Sequence, residues 1–530
     1  MTTTPAPSAI PAGRPKKAIL IKNATLVDPC EETMAESAQD ILILDDSIAA
    51  VQPGLDRLAR EHHAQVIDGR RWLALPGLVN AHYHSHDVLL KGRFDVMSLE
   101  KWAFRALPRF FPPRSDQELR LRTLIGAAEC LRSGITTVQD MLSLWPLTAH
   151  QARVVRQAYL DSGLRVVLGI QMADVGPLDT IPFFAQGLDE TTRELAKGPA
   201  APADMPDPMA ELHGILRDSP AGQGDLLTWA VCPSSPERCS SELLTTMRDV
   251  ALEHGLRLFS HIAISRLEAV AAQQIFAQWG GSPVRYLQAM EVLGPHLTLA
   301  HGVWLNADDR RILAETGTRM VLNPMSNLKT RNGIAQFQSY RQDGIPFGLG
   351  CDNCSCSDAQ NMFQAMKFAT LLSGVNSSMD NGLTAREAIH AATMGGARAL
   401  GMEDRIGRIW PGYRADITFI DKDDLVYKPL NDLKRQLVYG EGGRGVDSVM
   451  VAGRFLVREG RLQGIDQAAL EAELLSLMPA LQRDADAAEA RARALDDVIA
   501  QVEQRCMAMP VGMQRMACDA AEPDACRINR

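Results

Sequence analysis

Cysteine is sparse, positive charge is in the minority and long apolar runs are missing from this 530-residue chain. Ten cysteines over that length are too dilute for a disulfide scaffold, and the single Cys-x-x-Cys, Cys351 to Cys354, has no second pair to complete a structural zinc site. A reducing, cytoplasmic setting is expected. With 55 Lys and Arg against 64 Asp and Glu, the net charge of −9 offers no basic face to a polyanion, so no nucleic-acid partner is expected. No window approaches the roughly 18 consecutive apolar residues of a membrane span, and the Pro-, Ala- and Thr-rich start lacks the apolar core of a signal peptide. Neither a membrane nor a secretion route is expected.

What the chain does have is 46% hydrophobic and 22% charged residues, enough to bury a sizeable core and too long for a single one. One large domain with an accessory domain is the natural division. Residues 1–16 read as a disordered arm, followed by two strand-like runs at 18–27 and 40–51. Eight further apolar runs then follow, at 77–84, 135–141, 165–172, 226–233, 257–263, 297–303, 319–327 and 346–353. Segments with helical apolar spacing lie between them, among them 116–133, 149–162, 242–254 and 308–316.

Strands alternating with helices make parallel βαβ units, and eight of them over about 280 residues fit a (β/α)8 TIM-type barrel better than an open sheet. After the barrel, 405–420 and 447–456 return to strand-and-turn chemistry, and both ends together predict one composite β-sandwich domain from 17–75 and 405–465 around a barrel at 76–404. The Ala-, Leu-, Glu- and Arg-rich stretch 467–504 predicts a helical C-terminal segment within 466–530, able to pack on the barrel or on a second copy of the chain. Residues 188–225 read as a long insertion after the third barrel strand.

His82 and His84 stand two apart in the first run, so on a strand their imidazoles project from one face and can reach one metal ion. Alone, such a pair is as easily an ordinary core or surface feature. His261, His301 and Asp352 fall near the ends of runs five, six and eight, and every barrel strand opens its C-terminal end on the same face. Residues 177, 40 and 51 positions apart, from His84 to His261 to His301 to Asp352, would therefore meet at one mouth.

The string Pro76-Gly77-Leu78-Val79-Asn80-Ala81-His82-Tyr83-His84 resembles the first-strand signature of the metal-dependent amidohydrolase superfamily. Ser133 to Val138, Ala300 to Leu305, Asn323 to Lys329 and Gly412 to Asp416 are similar, in the same order, to segments of its branch of s-triazine hydrolases, cytosine deaminases and adenosine-type deaminases. The resemblance covers about residues 18–460. It implies that His82, His84, His261 and Asp352 are metal ligands, that His301 lies beside the attacking water, and that Asp352 moves protons. It also implies one divalent ion per subunit, zinc first and iron or manganese next. No lysine between His84 and His261 falls in an apolar run, so a second metal bridged by a carboxylated lysine is not expected.

One departure matters. Deaminases of this branch usually place Glu three residues beyond the histidine that here is His261; this chain has Ile264, and Glu268 only seven residues on. The favoured expectation is therefore a hydrolase that opens an amide, urea, carbamate or similar non-peptide C–N bond of a small molecule, heterocycles included, by attack of metal-activated hydroxide. The alternatives are an aminohydrolase or dehalogenase of a purine, pyrimidine or triazine ring, and a catalytically silent ligand-binding relative. Trp102, Trp304 and Asn327 are candidate substrate contacts, Cys354 and Cys356 less favoured soft ligands, and Asp140 a structural hydrogen-bonding residue. A homo-oligomer is expected.

Overall fold

The computed structural model describes residues 17–30, 38–218, 226–376 and 381–516. The arm expected at 1–16 lies outside them. Eight parallel strands form the barrel: Leu78–His84, Ile135–Leu142, Arg165–Met172, Leu227–Pro233, Arg257–Ile262, Leu297–His301, Arg319–Leu322, and an eighth in two pieces, Phe347–Leu349 and Asp352–Asn353. The first piece of the eighth strand pairs with the seventh and the second with the first, where Asp352 lies opposite Tyr83, so the sheet closes. Every residue of Leu78–His84 and Ile135–Leu142 is buried, as strands covered on both faces require.

The run expected at 319–327 is too long. Its strand stops at Leu322, and Pro324–Lys329 is a short helix with proline at its first position, where a missing N–H costs nothing. The run expected at 40–51 is likewise two strands, Ala38–Leu44 and Ser47–Val51, turned by Asp45 at φ 56°. These join Ala18–Leu26, Gln65–Asp68 and Trp72–Pro76 from one end of the chain with Ile417–Asp421, Val446–Val451, Arg454–Arg458 and Arg461–Leu462 from the other in one nine-stranded sheet. Trp72 and Ala74 pack there with Ile19, Ile43, Phe419 and Met450 in one core. A buried ion pair ties this sheet to the bottom of the barrel: Arg165, opening the third barrel strand, donates to both carboxylate oxygens of Asp416 at 2.7 and 3.0 Å.

The C-terminal stretch forms helices Gln467–Arg493 and Asp496–Met507. They lie on the barrel: Arg105 reaches Glu489 and Asp496, and Arg266 donates to the carbonyls of Cys506, Met507 and Met509. Arg515, beyond the last helix, donates to the carbonyls of Val303 and Leu305 after the sixth strand. No helix among the described residues is long and apolar enough to cross a membrane.

Candidate active site

The residues singled out by spacing converge at the C-terminal mouth of the barrel. His82 and His84 end the first strand, His261 lies on the fifth, His301 ends the sixth and Asp352 lies on the closing piece of the eighth. The side-chain nitrogens of His82, His84 and His261 lie within 4.8 Å of one another, as do the ligand atoms of His82, His301 and Asp352. Asp352 Oδ1 is 3.3 Å from His82 Nε2 and 3.5 Å from His84 Nε2, and its Oδ2 is 3.6 Å from His301 Nε2. Ala263, His301 and Asp352 all have positive φ, at 48°, 77° and 65°. Such backbone costs about 1–3 kcal/mol per residue and collects where function over-determines the geometry.

The surrounding groups fix which ring nitrogens face inward. Nδ1 of His84 lies 2.8 Å from the carbonyl oxygen of Met141, and Nδ1 of His261 lies 2.6 Å from that of Ser234. A carbonyl only accepts, so each Nδ1 carries a proton, and in the neutral ring, the form a metal ligand takes, each Nε2 presents a lone pair. Those two Nε2 atoms face one another at 3.3 Å, with no proton on either to join them. His82 Nε2 is also buried without a hydrogen-bond partner. Burial holds the His82 imidazole down to a pKa of about 4 and His261 well below the usual range, so both stay neutral. Burial pushes the Asp352 carboxyl up, but the imidazoles gathered around it, His82, His301 and His84, prevail and hold it well below the usual carboxylate range. Three inward lone pairs and one carboxylate are a donor set that one divalent cation satisfies.

Around this set lie groups that orient it. Ser326 Oγ donates to Asp352 Oδ2, and Asn327 Oδ1 lies 2.9 Å from His301 Nδ1. Asn327 thus holds the His301 ring. Trp102 is buried and donates to Ser355 Oγ at 2.7 Å; Trp304 donates to the carbonyl of Asn332 at 2.7 Å. Asp140 accepts from the backbone N–H of Ser85 at 3.0 Å and from Tyr159 OH at 2.7 Å, the structural role expected of it. Among the described residues, neither Cys354 nor Cys356 joins the imidazoles in a group of metal-ligating atoms.

A cavity of about 510 Å³ comes up to the histidine group at Ser234, whose carbonyl oxygen lies 2.6 Å from His261 Nδ1, while none of His82, His84, His261, His301 and Asp352 lines it. Ser143, Gln171 and Ser234, following or ending the second to fourth strands, reach it, and Met205 and Pro208 bring the 188–225 insertion to its wall. Trp102, Trp304 and Asn327 do not line it. Glu100, Glu237 and Glu268 do, and sequence reasoning missed the first two. Glu237 follows the fourth strand in the turn-rich string Ser234-Ser235-Pro236-Glu237, whose serines and proline hinted at a loop at the mouth, yet nothing marked its acid as buried. Glu268 folds back to accept from the backbone N–H of Ile264 at 2.7 Å. Burial pushes the Glu100 carboxyl up to about 7 and, together with the charge of Glu268, pushes Glu237 up to about 8.

The sequence matches the amidohydrolase family over residues 73–456. It is 32% identical to a 5'-deoxyadenosine deaminase of Methanothermobacter thermautotrophicus over 81% of this chain and 91% of that protein. Its structure is similar to an adenosine deaminase from Xanthomonas campestris with bound zinc, at a TM-score of 0.73 and 25% identity, covering 88% and 98% of the two chains. It also shares its fold with an atrazine chlorohydrolase from Arthrobacter aurescens complexed with zinc, at a TM-score of 0.72 and 23% identity over 87% and 100%. The chain therefore belongs to the amidohydrolase family and is a hydrolase of carbon–nitrogen bonds other than peptide bonds.

Proposed function

We propose that this hydrolase cleaves a C–N bond of a small nitrogen-rich molecule, with His82, His84, His261 and Asp352 holding one divalent ion, zinc ahead of iron or manganese. The observation that carries the reading is the set of inward Nε2 lone pairs beside the Asp352 carboxylate. A bound divalent ion supplies a lowered water pKa, toward about 7, and a positive charge for the developing oxyanion. Asp352 takes the proton from the attacking water and carries it to the leaving nitrogen. Its Oδ2 is oriented for this by the Ser326 hydroxyl. His301, held by Asn327, donates from Nε2 when protonated or accepts there when neutral, and so orients the water and the substrate polar atom.

At position 264 the isoleucine side chain moves no proton, which supports an exocyclic or acyclic C–N bond whose cleavage needs no ring protonation. A second reading, ring deamination, draws support from the 5'-deoxyadenosine deaminase relative and from the three buried carboxyls on the cavity wall. Either way the net charge of −9 supports a free small molecule as substrate in place of nucleic acid. We also take the enzyme to be cytoplasmic and homo-oligomeric, divided into a sandwich at 17–75 and 405–465, a barrel at 76–404 and a helical extension from 466. The test is a panel of amides, ureas, carbamates and amino-substituted purines, pyrimidines and triazines, assayed with zinc for released ammonia or amine. Zinc-dependent release that a chelator abolishes is expected. Efficient ammonia release from amino-azines alone would favour the second reading, and no turnover of any member would overturn both.

A further inference from the structure

Four acidic side chains, Glu100, Asp174, Glu237 and Glu268, line the 510 Å³ cavity. The fold accounts for three of them. Glu100 accepts from the Ser265 hydroxyl at 2.6 Å, and Asp174 accepts from the backbone N–H and hydroxyl of Ser240. Glu268 accepts from the Ile264 N–H and stands 3.6 Å from the Arg238 guanidinium. Glu237 differs: it is 5% exposed, and neither Oε1 nor Oε2 has a hydrogen-bond partner. An unpaired buried polar group costs about 1–3 kcal/mol, and more when charged. The two guanidiniums on the wall are engaged elsewhere, Arg109 with the Lys197 carbonyl and Arg238 beside Glu268. The donor that Glu237 lacks can arrive through the cavity.

We propose that Glu237 binds a cationic nitrogen group, an amidinium, guanidinium or protonated amine, of the molecule that enters this cavity, whose apolar body rests against Phe104, Leu144, Trp145 and Met172. The inference rests on the small-molecule hydrolase reading above and extends it by naming the substrate's head group. A planar amidinium offers two N–H donors to the two free carboxylate oxygens, the strongest pairing open to a buried acid. Four carboxyls against two guanidiniums leave the wall short of positive charge. The charged groups facing Glu237 are Glu268 on helix Arg266–Ile275 and the neighbouring Arg238, with Glu100 of helix Leu99–Ala106 beyond Glu268. With its carboxyl held up to about 8, Glu237 carries a proton at pH 7, and the arriving cation displaces that proton to solvent.

The test is calorimetry on the zinc-loaded full chain with benzamidine, a cation, and benzamide, its neutral analogue, at pH 7 in two buffers of different ionisation heat. Wild type is expected to bind benzamidine at least tenfold more tightly and to release a proton on binding. E237Q, with unchanged zinc content and thermal transition, is expected to bind the two within threefold, and E237D to recover part of the preference. Equal binding by wild type, or a tenfold preference kept in E237Q, would overturn the inference. Binding requires no turnover, so that failure would leave the hydrolase reading to its own product-release test.

Discussion

The two sides of the barrel mouth are built in different ways. On one side His82, His84, His261, His301 and Asp352 sit on strands, and their ring nitrogens are set by the carbonyls of Met141 and Ser234 and by the Asn327 side chain. On the other, the cavity wall comes from loops, short helices and the 188–225 insertion, and its acids are held singly, by Ser265, Ser240 and the Ile264 N–H. Strands fixed on both edges hold a reacting geometry, while loops can change shape and chemistry without disturbing it. The strand side should decide whether the reaction runs, and the loop side which molecule undergoes it.

The sharpest way to break that division is D352N. It is expected to lower kcat about 10³-fold or more on every substrate in a chain that still folds, because the proton-accepting charge and one of the four groups proposed to hold the metal are lost together. Substrate-dependent losses from this change would erase the distinction between the two sides. N327A removes the group holding His301 without touching the four proposed metal ligands, and is expected to lower kcat about 10- to 100-fold with metal content retained.

L144A acts on the loop side. Shortening an apolar contact on the cavity wall should raise KM about tenfold, unevenly among substrates, and leave kcat nearly unchanged. A uniform fall in kcat would place Leu144 on the wrong side of the comparison.

The smallest effect concerns Glu100, whose burial holds its folded-state pKa at about 7 against an ordinary 4.5. Between those values the folded chain binds the extra proton, so its stabilising contribution is present at low pH and fades as pH rises. In denaturant unfolding, Glu100 should account for about 1 kcal/mol of the stability lost between pH 6 and 7.5, beside the loss due to Glu237, and E100Q should reduce that slope without abolishing it. A slope unchanged in E100Q would assign the loss to another group.

The same division explains what could be read from the sequence. The His82–His84 pair, the eight apolar runs and the Gly412 to Asp416 segment are local patterns, and a barrel's symmetry carries local patterns to one face. The ends of the elements were harder: Asn323-Pro324 turns a strand into a helix one residue after Leu322, inside what reads as a single apolar run. Trp102 and Trp304 donate their indole N–H groups to Ser355 and Asn332 and lie outside the lining of the cavity, so a substrate contact at either stays a proposal. Asn327 sits at the mouth as expected but orients a histidine. Glu100 and Glu237 left no trace, because an acid's burial depends on which loops fold over it, and no spacing rule records that.

The central claim is that distant imidazoles and one carboxylate were gathered to hold a single cation that the reaction requires. Elemental analysis of the purified wild-type chain beside an H82A/H84A double variant tests it most directly. The account predicts about one divalent transition ion per wild-type chain and a folded, inactive variant that has lost it. A double variant that kept the full complement of metal, or a fully active wild-type chain holding none, would contradict it.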